Sequence, residues 1–197
     1  MRTFIAIEIP EQLRERLVSV RSALAASIAD EGLASLLRWS DRDNYHLTLR
    51  FLGETKPAQR LLIGKMLGGV ADAYPPFSLA LDGLGAFPHW RKMRVLWVGM
   101  AGEMELLARL QGSVEAGVQG CGFAAERQNF HPHATLARVS READNFLIAQ
   151  VGALLATQTK VAQSLGHWKV SELILMRSDL QRSGAIYTPV DRFPLAG

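Results

Sequence analysis

The spacing of apolar positions changes along the chain, and each change marks an element. Thr3–Ile9 is a run of β-branched and aromatic residues closed by Pro10, which predicts a strand. Over Glu11–Ile28 the apolar residues Leu13, Leu17, Val20, Leu24 and Ile28 recur at the three-to-four spacing of a helix with one buried face. Leu36–Trp39 predicts a short strand and Ser40–Asn44 a polar turn. His46–Leu52 alternates and is stopped by Gly53. Pro57 opens a second helix reaching Asp72, and Pro75–Pro76 end any continuation. Phe77–Leu84 and Val95–Met100 predict two strands joined by a loop that holds Gly85, Pro88, His89 and Arg91. Glu103–Val118 predicts a third helix, His133–Val139 alternates again, and Asp144–Ala156 is helical. Trp168–Val170, Glu172–Arg177 and Ala185–Pro189 close the chain as short strands.

Strands and helices are interspersed, yet several strands are neighbours in sequence. That order points to an α+β fold rather than a doubly wound parallel sheet. No Gly-, Ser- or Pro-rich linker divides the chain, so residues 1–197 are expected to form one unit. Composition sharpens this little: 48% of the 197 residues are apolar and 21% charged, enough for a core and too apolar for disorder. The net charge of +3 suits an anionic substrate and is too small for a protein that coats DNA. One cysteine, Cys121, allows neither an internal disulfide nor a Cys-based zinc site. The opening run MRTFIAIEIP is too short and too acidic for a signal peptide. The most apolar later stretch, Leu61–Val70, contains Lys65 and falls short of a membrane span. A soluble cytoplasmic protein is expected.

Chemistry enters through a repeat. His46-Leu47-Thr48-Leu49 recurs 87 residues later as His133-Ala134-Thr135-Leu136. With five histidines and seven threonines in the chain, chance supplies about 0.2 His-x-Thr matches. Both matches lie in predicted strands, where alternate side chains share a face. His46 and Thr48 therefore point one way and Leu47 and Leu49 the other, and the second copy behaves alike. Two such strands facing one cleft bring two imidazoles and two hydroxyls around a common centre. This set suits phosphodiester chemistry. An imidazole is a base or an acid near neutrality, so one ring activates the attacking oxygen while the other protonates the leaving oxygen. The hydroxyls donate to the non-bridging oxygens, and no metal or other cofactor is required. The spacing is symmetric and leaves open which ring is acid and which base.

These residues resemble the 2H phosphoesterases, and within them the RNA 2′,3′-cyclic phosphodiesterases, also called 2′-5′ RNA ligases. The likeness is carried by Arg2–Ile7, His46–Gly53, Phe87-Pro88 with Trp97, Phe130–Arg138, and the closing Ser178, Gly184-Ala185 and Tyr187. The resemblance implies a bilobed α+β fold, two pseudo-symmetric lobes rich in β-α-β units whose antiparallel sheets flank a central cleft. It implies hydrolysis of a terminal 2′,3′-cyclic phosphate to a 2′-phosphate, with reversible 2′-5′ joining. His46 would be the proton donor to the leaving 3′ oxygen and His133 the proton acceptor, with Thr48 and Thr135 holding the phosphate. The implied partner is RNA with 2′,3′-cyclic phosphate ends, tRNA fragments included, and the protein would be a monomer that binds no membrane. Two alternatives stand beside this reading. One is a 2H phosphoesterase for a small cyclic nucleotide or an ADP-ribose cyclic phosphate. The other is a non-catalytic RNA-end binding protein.

Four further residues are candidates for substrate contact. Arg50 lies two past Thr48 and is expected to share the His46 face, as a phosphate clamp or a salt bridge at the cleft edge. A regular strand would put Arg138 on the face opposite His133. His131 precedes His133 across Pro132 and reads as a cleft-mouth group or an exposed turn residue. Tyr187, like Phe51, either stacks a base or packs the core. The loop Pro88–Arg94 mixes bases with Trp90 and reads as a strand-binding surface or a solvated loop. His46, His131 and His133 make a poor metal set, because Asp43, Glu54 and Glu126 stand at no ligand spacing. No P-loop motif is present, so any joining of ends must draw its energy from the cyclic phosphate.

Overall fold

Among the described residues, 1–181 and 184–196, the computed structural model folds into four α-helices and two antiparallel sheets. In chain order the elements are β1 (Arg2–Glu8), α1 (Glu11–Asp30), β2 (Leu37–Trp39), β3 (His46–Glu54), α2 (Pro57–Asp72) and β4 (Phe77–Phe87). There follow β5 (Val95–Gly102), α3 (Met104–Gly120), β6 (His133–Val139), α4 (Asn145–Ala156), β7 (Gly166–Val170), β8 (Glu172–Gln181) and β9 (Gly184–Pro194). The expected α+β class is what the chain adopts. The first sheet has the order β3-β1-β8-β9 and the second β2-β6-β5-β4-β7. Each half of the chain hands two strands to the other sheet, β2 and β4 from the first half and β8 and β9 from the second. Strand β4 from the first half pairs with β5, and β8 from the second pairs with β1.

The apolar faces read from the sequence are the buried ones. Leu13, Leu17, Val20, Leu24 and Ile28 are the buried residues of α1, and Leu107, Leu110, Val114 and Val118 those of α3. Asp144 caps α4, its Oδ1 accepting from the Phe146 and Leu147 amides at 2.7 and 3.3 Å. Helices and sheets share one core that includes Ile5, Ile7, Leu47, Ile63, Leu96, Ala134 and Leu136. The opposite face of the first sheet carries a smaller cluster, Phe4, Ala6, Ile174 and Met176, under Tyr187.

Several boundaries depart from the expected ones, and glycine is the reason for two of them. Gly53 does not stop β3. It adopts φ +70° at a register shift against β1, and the strand continues to Glu54. Gly83, at φ +83°, sits in a bulge of β4, which runs on through Gly85 to Phe87 rather than entering a loop. Strands β8 and β9 are longer than expected because they pair along their whole length, from Glu172 opposite Pro194 to Gln181 opposite Gly184. Among the described residues no helix is long and apolar enough to cross a membrane.

Segment Trp90–Lys92 forms a short 3₁₀ turn pressed against α4. The contact requires Gly152, because a Cβ there would lie 1.9 Å from the carbonyl oxygen of Trp90. Backbone cannot swing aside as a side chain can. Gly152→Ala is therefore expected to destabilise the protein by about 2 kcal/mol or more, although alanine is the better helix former. Urea denaturation measures the difference, and a neutral or stabilising result would contradict this packing.

Candidate active site

The two motif strands, β3 and β6, meet at the junction of the sheets. Leu47, Leu49, Ala134 and Leu136 are buried in the core, so His46, Thr48, His133 and Thr135 are turned to the opposite, open faces. His46 stands opposite Glu8 and Thr48 opposite Ala6 on β1. His133 stands opposite Gly99 and Thr135 opposite Trp97 on β5. Each His thus shares one face of its strand with its Thr.

Backbone fixes both rings in the same way. His46 Nδ1 lies 2.7 Å from the carbonyl oxygen of Asn44, and His133 Nδ1 lies 2.7 Å from that of His131. A carbonyl only accepts, so Nδ1 carries the proton in each ring and Nε2 is left as the reactive nitrogen. The Thr48 hydroxyl donates to His46 Nε2 at 2.9 Å. The Thr135 hydroxyl makes no side-chain hydrogen bond among the described residues. Aromatic rings hold the imidazoles from the sides. Phe4 and Tyr187 lie 4.8 and 5.0 Å from the His46 ring, and Phe87 lies 5.0 Å from that of His133.

These walls govern charge. Burial, against the pull of the Asn44 carbonyl, holds the His46 pKa down to about 4, and the positive charges of His133 and Arg138 push the same way. Burial also lowers His133, opposed by the His131 carbonyl and assisted by the charges of His131 and Arg138. Both rings are thus neutral in the free protein at neutral pH, and an anion between them would favour protonation of either.

The two arginines exchange the places expected of them. In β3 the register shifts between Ile5/Ala6 on the partner strand, so Arg50 stands opposite Ile5 while Thr48 stands opposite Ala6. The bulge turns Arg50 to the helix side, where it pairs with Glu115 at 2.6 Å and Glu126 at 3.1 Å. Arg50 thus takes the salt-bridge place of its two expected ones. Burial pushes the Glu115 carboxyl up, but the Glu126 amide, the Gln119 amide and Arg50 together hold it below its ordinary value. In β6 the matching bulge, between Leu96 and Trp97 on the partner strand, puts Arg138 opposite Val95. Thr135 stands opposite Trp97 and His133 opposite Gly99, so all three share one face. Arg138 is exposed there, and its charge reaches His46, His133 and Tyr187. The expectation that it faces away is overturned by one extra residue. Phe51 takes the open face vacated by Arg50, 5.7 Å from Phe4 and exposed rather than in the core.

The remaining candidates divide. Tyr187 is half-buried, edge-on to both Phe4 and His46, so it packs the small cluster and touches a reactive ring at once. Exposed His131 stacks its edge on Phe87 and Trp97 and gives its carbonyl to His133. Trp90 in the Pro88–Arg94 loop packs on the core against α4, and Met93 is buried, which leaves Pro88, His89, Arg91, Lys92 and Arg94 exposed. Three residues have roles that a reading of the sequence alone does not show. Phe4 and Phe87 are the ring supports, and Arg38 on β2 stands directly opposite Arg138, both exposed. Among the described residues no group of three or more His, Cys, Asp or Glu could hold a metal ion.

Comparison with known proteins agrees in sequence and in shape. The sequence profile of the 2′-5′ RNA ligase superfamily matches residues 10–182. An Aeropyrum pernix protein named RNA 2′,3′-cyclic phosphodiesterase is 37% identical over 83% of this chain and 88% of its own. A crystal structure of a Thermus thermophilus protein superposes with a TM-score of 0.79 at 27% identity, covering 100% of this chain and 99% of the other. The crystal structure of Escherichia coli LigT complexed with 3′-AMP gives 0.73 at 27% identity, covering 100% and 98%.

The exchange of arginines predicts opposite responses to substitution. Arg50→Ala strands two carboxylates, one of them poorly exposed, and is expected to cost about 1–3 kcal/mol of stability. Arg138→Ala removes a solvated side chain and should change stability by less than about 0.5 kcal/mol. Chemical denaturation of both variants decides between the bulged faces and a regular alternation, which predicts the reverse order.

Proposed function

The chain belongs to the 2′-5′ RNA ligase superfamily and is a cyclic phosphodiesterase, and we propose that it hydrolyses the 2′,3′-cyclic phosphate at RNA 3′ ends to a 2′-phosphate without a metal ion. The observation that carries this reading is the pair of imidazoles held by carbonyls through Nδ1, each beside a threonine hydroxyl on an open strand face. Nothing in mere binding calls for two titratable rings fixed in the same tautomer. That counts against a non-catalytic RNA-end protein.

The mechanism follows from the proton positions. His133 Nε2, neutral in the free protein, accepts a proton from water as the water oxygen attacks phosphorus. The bond from phosphorus to the 3′ oxygen breaks in line, and that oxygen takes a proton from His46 Nε2. The product is a 2′-phosphate with a free 3′ hydroxyl. A His46 pKa of about 4 leaves little of the acid form in the free protein, so the anionic phosphate must raise it on binding. Family resemblance, not geometry, assigns the donor role to His46. Protonation of His46 Nε2 releases the Thr48 hydroxyl that donates to it in the free protein, and Thr48 and Thr135 then donate to the non-bridging oxygens, where charge accumulates. Arg138, with Arg38 opposite, supplies positive charge at the edge of the same face. Two guanidinium groups directly across a strand pair repel unless an anion sits between them, and an RNA backbone provides one. When a 5′ hydroxyl replaces water, the same two proton transfers join the ends through a 2′-5′ bond, with energy drawn from the strained cyclic ester.

This reading treats residues 1–197 as one domain, supported by a core that runs through the helices of both halves. It assigns the enzyme to the cytoplasm, acting as a monomer on RNA ends.

A short RNA bearing a 2′,3′-cyclic phosphate, supplied with excess EDTA, tests the proposal. Turnover to the 2′-phosphate is expected to survive chelation and to fall by at least about 100-fold in both His46→Ala and His133→Ala. Arg138→Ala is expected to raise KM by about tenfold, with a smaller effect on kcat. Loss of activity with EDTA would overturn the metal-free mechanism. Tight RNA binding without turnover would overturn the assignment for this substrate in favour of a smaller cyclic phosphate.

A further inference from the structure

The two motif faces differ in what stands opposite each threonine. Opposite Thr48 the first sheet places Ala6, and opposite Thr135 the second sheet places Trp97. Strand β4 makes room for this indole. Gly85 stands opposite Trp97, and a Cβ there would lie 2.2 Å from the Cη2 and Cζ2 atoms of the indole. Gly99, two residues on along β5, would bring a Cβ to 3.3 Å from Cζ3. The indole therefore lies down across the sheet over two positions that have no side chain. A tryptophan hemmed in by a side chain at Gly85 would have to stand up from the sheet.

The ring reaches both the rim and the reactive centre. Its centroid is 5.0 Å from His131 and 6.1 Å from His133, and it is half-buried. Beside it opens a cleft of about 350 Å³, walled by Leu84, Met100, Met104 and Pro132, with exposed Asp82 at its edge. That volume lies at the small end of ligand sites, right for one planar heterocycle and too small for several. The walls are apolar and polarizable, which suits a π-face. The mechanism uses neither the indole nor the methionines.

We propose that Trp97 and the Met100/Met104 cleft form a subsite that stacks the nucleobase of the nucleotide carrying the cyclic phosphate. This rests on the phosphodiesterase reading and adds to it where the base goes: on the side of the second motif. Opposite the first threonine, Ala6 offers no such platform. Stacking on an indole accepts any base, because every base has a π-face. The subsite therefore selects nucleotide over bare sugar phosphate and does not read sequence.

The test is a ratio within each protein: kcat/KM for adenosine 2′,3′-cyclic phosphate over kcat/KM for 1-O-methylribose 2,3-cyclic phosphate, which has no base. Wild type is expected to prefer the nucleotide by at least about fivefold. Trp97→Leu should bring the ratio to about one, and Trp97→Phe, which keeps an aromatic face, should restore most of it. A wild-type ratio near one would overturn the subsite. So would an unchanged ratio in Trp97→Leu, however far both rates fall, because the indole would then only position His133. If wild type turns over neither compound, the phosphodiesterase reading falls separately. The subsite is then decided by binding of adenosine 2′-monophosphate. Saturable quenching of tryptophan emission that disappears in Trp97→Leu, with the other three tryptophans in place, sustains it, and no quenching overturns it.

Discussion

Everything the site does depends on a hydrogen bond from each imidazole to the carbonyl two residues earlier in the chain. Asn44 and His131 supply those oxygens, each at 2.7 Å. A backbone acceptor cannot be protonated or rotated away, so the tautomer is set by the strand entry itself. Nε2 is then the unprotonated nitrogen of both rings, and both sit on the strand face that carries the threonine. The symmetry of the chemistry is thus a symmetry of backbone, repeated once in each half of the chain. Burial adds the second constraint. It holds both rings below the ordinary histidine range, so the free protein presents two bases, and the bound anion supplies what makes one of them an acid. Because folding depresses His46, its neutral form contributes stability that is present above pH 6.5 and is lost as the pH falls towards 4.

The second organising feature is a bulge placed identically in both motif strands. It keeps His and Thr on the open face and reverses the alternation just after them. In the first strand this sends Arg50 to the helices and Phe51 outward. In the second it buries Ala137 and sends Arg138 outward. One strand thereby gains an aromatic surface and the other a cation. The two halves share a catalytic pattern and differ in what surrounds it.

The sequence shows the helix faces and the His-x-Thr pair plainly, because periods of 3.6 and 2 survive in the order of residues. Leu13 to Ile28 and His46 to Leu49 need no tertiary information. Strict alternation carried through the bulge puts each arginine on the wrong side. The correcting signal lies in the same strands: Leu49 and Leu52 are both buried three apart, as are Leu136 and Val139, and an odd spacing cannot keep one face of a regular strand. Phe4, Phe87 and Trp97 are hidden for a different reason. Their roles depend on which strands become neighbours across the exchange of β4 and β8 between sheets, and no local pattern reports that. Gly85, which reads as a loop residue, is the floor under the indole.

The central claim is that backbone carbonyls and burial give two neutral imidazoles with Nε2 unprotonated, and that the phosphate sets their protonation. Nitrogen-15 NMR titration of the histidine side chains, with and without adenosine 2′-monophosphate, tests it most directly. The account predicts Nδ1–H tautomers for His46 and His133 at neutral pH in the free protein. His46 should titrate near 4 and His133 below its ordinary value, with the bound phosphate moving His46 upward because an anion favours the imidazolium. An Nε2–H tautomer at either ring, a free-protein His46 that titrates at 6.5 or above, or no upward movement on binding would contradict it.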